Sequence, residues 1–212
     1  MGILFPPDEF QKLKDLLTLY RCALLDMQTR LDILLEDYKN LQSYNPIEHV
    51  KNRLKSPESI ADKLHRLNFE LTASSARENL TDIAGLRCIC LYAKDIPFIV
   101  NALKRQPDLT VLKEKDYVTN PKPSGYRSYH IIFKIPVHLA EVTEYVPVEV
   151  QVRTQAMDFW ASLEHTARYK YKDQIPQHLA HALIECADQI AELDKRMYNI
   201  QDLVEIAYDD SE

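Results

Sequence analysis

Two short stretches hold the residue types that phosphate chemistry needs. In Val148-Glu149-Val150-Gln151-Val152-Arg153 the valines alternate with Glu149, Gln151 and Arg153. A strand here sets three apolar side chains on one face and three polar ones on the other. That polar face is either solvated or part of a covered site. The neighbouring strand candidates are short and apolar and two helical flanks must cover something, which favours the site. A Glu in the middle of a covered sheet face is costly unless a cation or metal meets it. In "TDIAGLR" (81–87), Asp82 stands at the entry to an apolar strand and Arg87 lies inside it. Asp82 is either a turn or capping residue or, with Glu149 from an adjacent strand, half of an oxygen-only pair suited to Mg²⁺. Nothing has the His/Cys spacing of a zinc site.

Cations gather around these stretches: Arg53, Lys55, Lys63 and Arg66 upstream, and Lys113, Lys115, Lys122, Arg127 and Arg153 downstream. A solvated basic face is the ordinary explanation for any one of them. The chain, however, has only three glycines, so it holds neither a G-x-x-x-x-G-K-[ST] loop nor a G-x-G-x-x-G turn. If a nucleotide binds, side-chain cations must meet its phosphates in place of a glycine-rich backbone cradle. One of the three glycines falls in "PKPSGYRSYH" (121–130). The prolines stiffen the entry, Gly125 permits a turn, and Tyr126 is displayed just before a strand. An aromatic held beside Lys and Arg is a platform for a purine base, worth on the order of 1–3 kcal/mol of stacking. A core-packing Tyr126 and a buried, satisfied His130 are the competing readings. In the strand itself, Ser128 and His130 share one face, and Tyr129 and Ile131 the other.

The elements that position these residues can be read from periodicity. Phe10, Leu13, Leu17, Tyr20, Leu24, Met27, Leu31, Leu34, Tyr38 and Leu41 step by three and four, a heptad seam. Leu179, Leu183, Cys186, Ile190, Leu193, Met197, Ile200 and Val204 repeat the pattern near the other end. Each seam packs a helix on the core, builds an oligomer interface, or does both. Between them, residues 45–67 read as two short helices broken near Ser56-Pro57. Strand candidates lie at 86–92, 109–117, 128–135 and 145–153, with helices at 95–106 and 155–172. The order predicts an α/β (α+β) chain with one mixed, mainly antiparallel sheet flanked by helices. No internal repeat or low-complexity segment is present.

At 212 residues, 46% apolar and 27% charged, the chain has the composition of a soluble globular protein. It contains no apolar run near the ~20 residues of a membrane span and no signal-peptide pattern. Cys22, Cys88, Cys90 and Cys186 are scattered and read as reduced thiols, so a cytoplasmic location is expected. The net charge of −6 is uneven: residues 185–212 carry nine Asp/Glu against Lys195 and Arg196. The near-neutral remainder, with local basic clusters, suits a small anionic ligand in a cleft and disfavours a broad nucleic-acid surface.

"NPIEHVKNRLKSPESIADKL", "DIAGLR", "KPSGYRSYH" and "EVQVRTQAMDFWASLEH", in this order and spacing, resemble the synthetase domain of the RelA/SpoT alarmone enzymes. The resemblance is strong over residues 45–172, loose over the helical flanks, and is to the stand-alone small alarmone synthetases. No His-Asp dipeptide occurs, so the hydrolase half of the long members is not expected. The resemblance implies a nucleotidyltransferase-like synthetase domain at 45–174, between an N-terminal helical extension (1–44) and a C-terminal oligomerisation helix with an acidic tail (175–212). It implies transfer of the β,γ-pyrophosphate of ATP to the 3′-hydroxyl of GTP or GDP, and a homotetramer. By motif match Asp82 and Glu149 would be catalytic and hold Mg²⁺, with Glu149 also activating the attacking hydroxyl. Arg53 and Arg87 would sandwich the adenine, and Lys55, Lys63 and Arg66 would meet the ATP phosphates. Tyr126 would stack on guanine, with Lys115, Lys122, Ser124, His130, Gln151 and Arg153 around the acceptor. Asp158, at the guanine edge, stands where some small synthetases carry Asn, and "KEKD" (113–116) is similar to the basic version of a motif that is acidic elsewhere in the family. Two other readings compete: a related pyrophosphokinase acting on tRNA ends, and a nucleotide- or RNA-binding regulator without turnover.

Overall fold

A computed structural model describes residues 5–41, 45–171 and 174–209. The segment around Gly2 and the last acidic residues, Asp210 and Glu212 among them, lie outside the described residues. Five strands form one sheet in the order β1-β2-β5-β4-β3: β1 (Ile47–Leu54), β2 (Ala84–Cys90), β3 (Thr110–Asp116), β4 (Tyr129–His138) and β5 (Thr143–Thr154). Only the β2–β5 pairing is parallel, so the sheet is mixed and mainly antiparallel, as its sequence order predicts. The helices are α1 (Phe10–Leu41), α2 (Pro57–Arg66), α3 (Ala73–Asn79), α4 (Asp95–Lys104), α5 (Gln155–Lys170) and α6 (Gln177–Asp209).

The valines of β5 face the core and are fully buried, together with Leu86, Cys88, Ile131 and Phe133. Helix α1 lies against this face: Leu13, Tyr20, Met27 and Leu31 are at most 1% exposed. Most of its heptad seam is therefore spent on its own sheet, with Phe10 at the start left exposed, and each buried side chain of this size contributes roughly 1.5–3 kcal/mol. The seam of α6 has a different fate. Ala187 is buried against α5, while Leu193, Met197, Ile200, Leu203 and Val204 are all exposed. Cys88 and Cys90 are free, buried thiols, and burial pushes Cys88 up to about 12.

One expectation is overturned. Residues 47–54 are not helical but form β1, antiparallel to β2. The misleading signal was Ile47, Val50 and Leu54, spaced three and four apart as on a helix. A register irregularity between Ile47 and His49 shifts the phase of the strand by one residue, which puts Ile47 and Val50 on the same, core-facing side despite their odd spacing. The break at Ser56-Pro57 holds: the Ser56 hydroxyl accepts from the Ser59 N–H and Pro57 opens α2. Helix α3 had no sequence expectation.

Candidate active site

The face of the sheet opposite α1 carries two rows of residues, each running across the strands. Arg53 pairs with Gly85, Gly85 with Glu149, and Glu149 with Ile132. Two residues along, Lys51 pairs with Arg87, Arg87 with Gln151, Gln151 with His130, and His130 with Lys115. Residues two apart on a strand share a face, so register alone gathers residues more than sixty positions apart in sequence.

Glu149 occupies the centre. Its Oε1 lies 3.1 Å from His130 Nδ1 and its Oε2 accepts from Gln151 Nε2 at 3.0 Å. His130 Nε2 is in turn 2.7 Å from the Tyr126 hydroxyl. A carboxylate can only accept, so Nδ1 carries the hydrogen and, in a neutral ring, Nε2 accepts from Tyr126. Burial pushes the Glu149 pKa up, but the His130 contact and the Gln151 amide outweigh it and hold the carboxyl below its ordinary value. Asp82, just ahead of β2, has its Oδ2 2.6 Å from Lys63 Nζ and 3.1 Å from Lys55 Nζ. Burial again acts upward, and the two ammonium groups win, so this carboxyl too is held low.

Both carboxylates line one depression with Arg53, Lys55, Arg87 and Gln151. Asp82 Oδ1 is buried there with no hydrogen-bond partner. A buried, unpartnered carboxylate oxygen in a depression that a second carboxylate also lines fits Mg²⁺, which takes one or two protein carboxylates and completes its shell with water and substrate phosphates. Among the described residues no cluster of three or more His, Cys, Asp or Glu is placed to hold a metal, so a tighter all-protein cage is not available here.

Of the sequence-predicted donor residues, Arg53, Lys55 and Arg87 line this depression. Arg53 and Arg87 are diagonal neighbours across the β1–β2 pair, a separation of roughly 7–8 Å between backbones. That leaves room for one aromatic plane between two guanidinium groups, over a floor at Gly85 that has no side chain. Lys55 and Lys63 flank Asp82. Arg66, in the last turn of α2, is exposed and stands apart from the depression.

On the other side of Glu149, Lys113, Lys115, Tyr117, Lys122 and His130 line a cavity of about 270 Å³. The Lys122 ammonium stands over the Tyr126 ring, 4.5 Å from its centroid, and 4.7 Å from that of Tyr117. Tyr126 is half-buried, its ring against Tyr117 and Trp160, a supported platform and not a freely displayed one. Gly125 has a φ of +90°, the left-handed region that side chains resist. Ser124 sits half-buried in the preceding turn, outside both cavity walls. Arg153 is 2% exposed, donates to Gln151 Oε1 at 2.7 Å and lies 3.4 Å from Asp158 Oδ1. Burial lowers the pKa of its guanidinium. Asp158 also faces Lys51 at 3.8 Å; its carboxylate is engaged by two cations from the protein itself.

Tyr117, Lys51, Trp160 and Glu164 were not expected in the site. Tyr117 closes the basic "KEKDY" strand, and that adjacency was the signal available. Trp160 lies one turn before Glu164 and His165 on α5, and Glu164 and His165 line a third depression together with Arg53, Arg87 and Tyr126; that they reach the cleft depends on how α5 docks.

Residues 52–174 match the region found in RelA / SpoT proteins. A GTP pyrophosphokinase, YwaC, of Bacillus subtilis (strain 168) is 45% identical over 188 residues, 89% of this chain and 90% of the relative. The crystal structure of small alarmone synthetase 2 from Bacillus subtilis superposes with a TM-score of 0.82 at 44% identity, covering 89% of this chain and 97% of that one. Small alarmone synthetase 1 from the same organism, bound to its product pppGpp, gives a TM-score of 0.83 at 34% identity over 92% and 98% of the two chains. The matched region contains both carboxylates and the cations around them, and the likeness extends through the flanking helices: the chain belongs to the RelA/SpoT family, on the side of its small alarmone synthetases.

Proposed function

We propose that the chain is a Mg²⁺-dependent GTP pyrophosphokinase that makes pppGpp or ppGpp from ATP and GTP or GDP. The observation that carries the reading is the position of Glu149, which lines both the depression with Asp82, Arg53 and Arg87 and the cavity with Lys115, Lys122 and His130. Donor and acceptor bound on its two sides bring their reacting atoms together at one carboxylate. The names of the relatives, a pyrophosphokinase and a synthetase carrying pppGpp, support the same assignment.

The transfer needs positioning and charge neutralisation more than a reactive side chain. The acceptor 3′-oxygen forms a bond to the β-phosphorus of ATP, the bond from that phosphorus to the oxygen bridging the α-phosphate breaks, and AMP leaves. The hydroxyl proton passes to Glu149, kept ionised and oriented by His130 and Gln151. Asp82 and Glu149 would hold the Mg²⁺, which when bound would supply charge neutralisation for the transferring group. In the structure Lys55 and Lys63 rest on Asp82; donor phosphates entering the depression compete with that carboxylate for them. Arg53 and Arg87 hold the adenine, and Tyr126 with Lys115, Lys122 and Arg153 holds the acceptor. We further assign residues 45–174 as the catalytic unit and the exposed apolar stripe of α6 as the surface of a homo-oligomer, a tetramer by family likeness. A cytoplasmic location is part of the proposal; among the described residues no helix is long and apolar enough to cross a membrane.

Incubation with γ-labelled ATP and either GDP or GTP, with products resolved by anion-exchange chromatography, tests the proposal. Stoichiometric AMP and a pyrophosphorylated guanosine nucleotide are expected. Label transferred to tRNA instead, or nucleotide binding without AMP release, refutes it in favour of the tRNA-directed or regulatory reading.

A further inference from the structure

Helix α6 lies outside the family-matched residues 52–174, yet one of its faces backs the acceptor platform. A Cβ on Gly125 would stand 2.7 Å from the Ala187 Cβ and 3.5 Å from both the Ile184 backbone and the Trp160 ring. Contact that close does not occur between real Cβ atoms, so the loop reaches its position only because 125 is glycine and 187 is alanine. Trp160 is 3% exposed and its indole N–H donates to the Leu183 carbonyl at 2.7 Å. Trp160, Ala161 and Ala187 form a small buried cluster of their own, separate from the main core, with the Tyr126 ring packed on it. The next residue of the loop, Arg127, lies 3.4 Å from Asp188 of α6. Further along, the hydroxyl of Thr154, which caps α5, donates to Asp194 at 2.5 Å.

Ile184, Ala187, Asp188 and Asp194 thus touch the Gly125 loop and the start of α5, the two segments that hold Tyr126 and Trp160. They make no contact with Arg53, Lys55, Lys63 or Asp82 on the donor side that the structure describes. We propose that α6 is a positioning element for the acceptor nucleotide, with Ala187 setting the depth at which Gly125 and Tyr126 sit, and with no part in holding the donor. The inference rests on the proposed acceptor site.

The test is a volume series at position 187 in the full chain, Ala187→Val and Ala187→Leu. Ala182→Val, the same change on the exposed side of α6, controls for the cost of a β-branched residue in a helix. GDP is titrated against the fluorescence of Trp160, the only tryptophan in the chain, and steady-state KM is measured for GDP and ATP in turn. The expected result is a GDP Kd raised at least fivefold by Val and more by Leu, with the ATP KM within twofold of wild type and Ala182→Val unchanged. If the Leu variant does not fold, the Val variant decides. Unchanged GDP affinity in a folded Val variant, or equal losses for GDP and ATP, overturns the positioning role and leaves the proposed function standing. A wild-type protein that binds no GDP overturns both.

Discussion

Replacing Tyr126 in two ways separates the tasks of its ring from those of its hydroxyl. The hydroxyl lies 2.7 Å from His130 Nε2, and His130 Nδ1 lies 3.1 Å from Glu149. In Tyr126→Phe the stacking face survives, but Nε2 loses its donor, and the imidazole keeps only its own bond to Glu149 and the edge contact with Tyr117 to hold its orientation. One neutral hydrogen bond is worth about 0.5–1.5 kcal/mol net, so kcat should fall about twofold to tenfold, with the KM for GDP nearly unchanged. Tyr126→Ala loses the ring as well. The missing stacking of ~1–3 kcal/mol should raise the KM for GDP about fivefold to a hundredfold on top of the kcat loss, while the KM for ATP, held across Gly85 by Arg53 and Arg87, stays within twofold. The assay is steady-state AMP release with each nucleotide varied at saturating levels of the other, on variants whose thermal midpoints show them folded. A kcat for Tyr126→Phe indistinguishable from wild type refutes the Tyr126–His130–Glu149 relay. A KM for ATP that rises as far as that for GDP in Tyr126→Ala refutes the division of the cleft.

Glu149→Gln keeps the shape of the side chain and removes its charge, so ATP binding by calorimetry should persist while turnover nearly vanishes; retention of more than about a tenth of kcat, a barrier change under ~1.4 kcal/mol, contradicts its role. Leu193→Glu with Met197→Glu, both on the exposed stripe of α6, should lower the mass measured by light scattering without loss of helix signal, and an unchanged mass in a folded variant argues against that interface. Tyr20 is fully buried and its hydroxyl has no partner. Burial raises its pKa from about 10 to about 12, so its contribution to stability is complete below pH 10 and lost as pH rises through 12. At pH 11 the loss amounts to ~1.4 kcal/mol; because burial raises Tyr38 to about 12 as well, urea unfolding at pH 9 and pH 11 should show wild type losing about that much more than Tyr20→Phe, and parallel losses in the two proteins would rule it out.

The chain order alone determined the alternation in β5, because a period of two is imposed by the strand backbone whatever surrounds it. The valines face the core and Glu149, Gln151 and Arg153 the opposite side, as that alternation requires. The turn at Gly125 was equally legible, since so few residues tolerate a positive φ, and the paucity of glycine pointed to side-chain cations around any phosphate. Tertiary structure decided the rest. The spacing of Ile47, Val50 and Leu54 is helical on paper, and only pairing with β2 through a register shift makes it a strand; that same pairing sets Arg53 across from Gly85. The two heptad seams are alike in sequence, yet α1 is buried by its own sheet and the far part of α6 is left exposed. A seam records that a helix has an apolar face, not what covers it. The contact of Ala187 with Gly125 joins residues sixty-two positions apart, and no local pattern encodes it, because close approach between two backbones is set by how the elements dock and not by the propensity of either one.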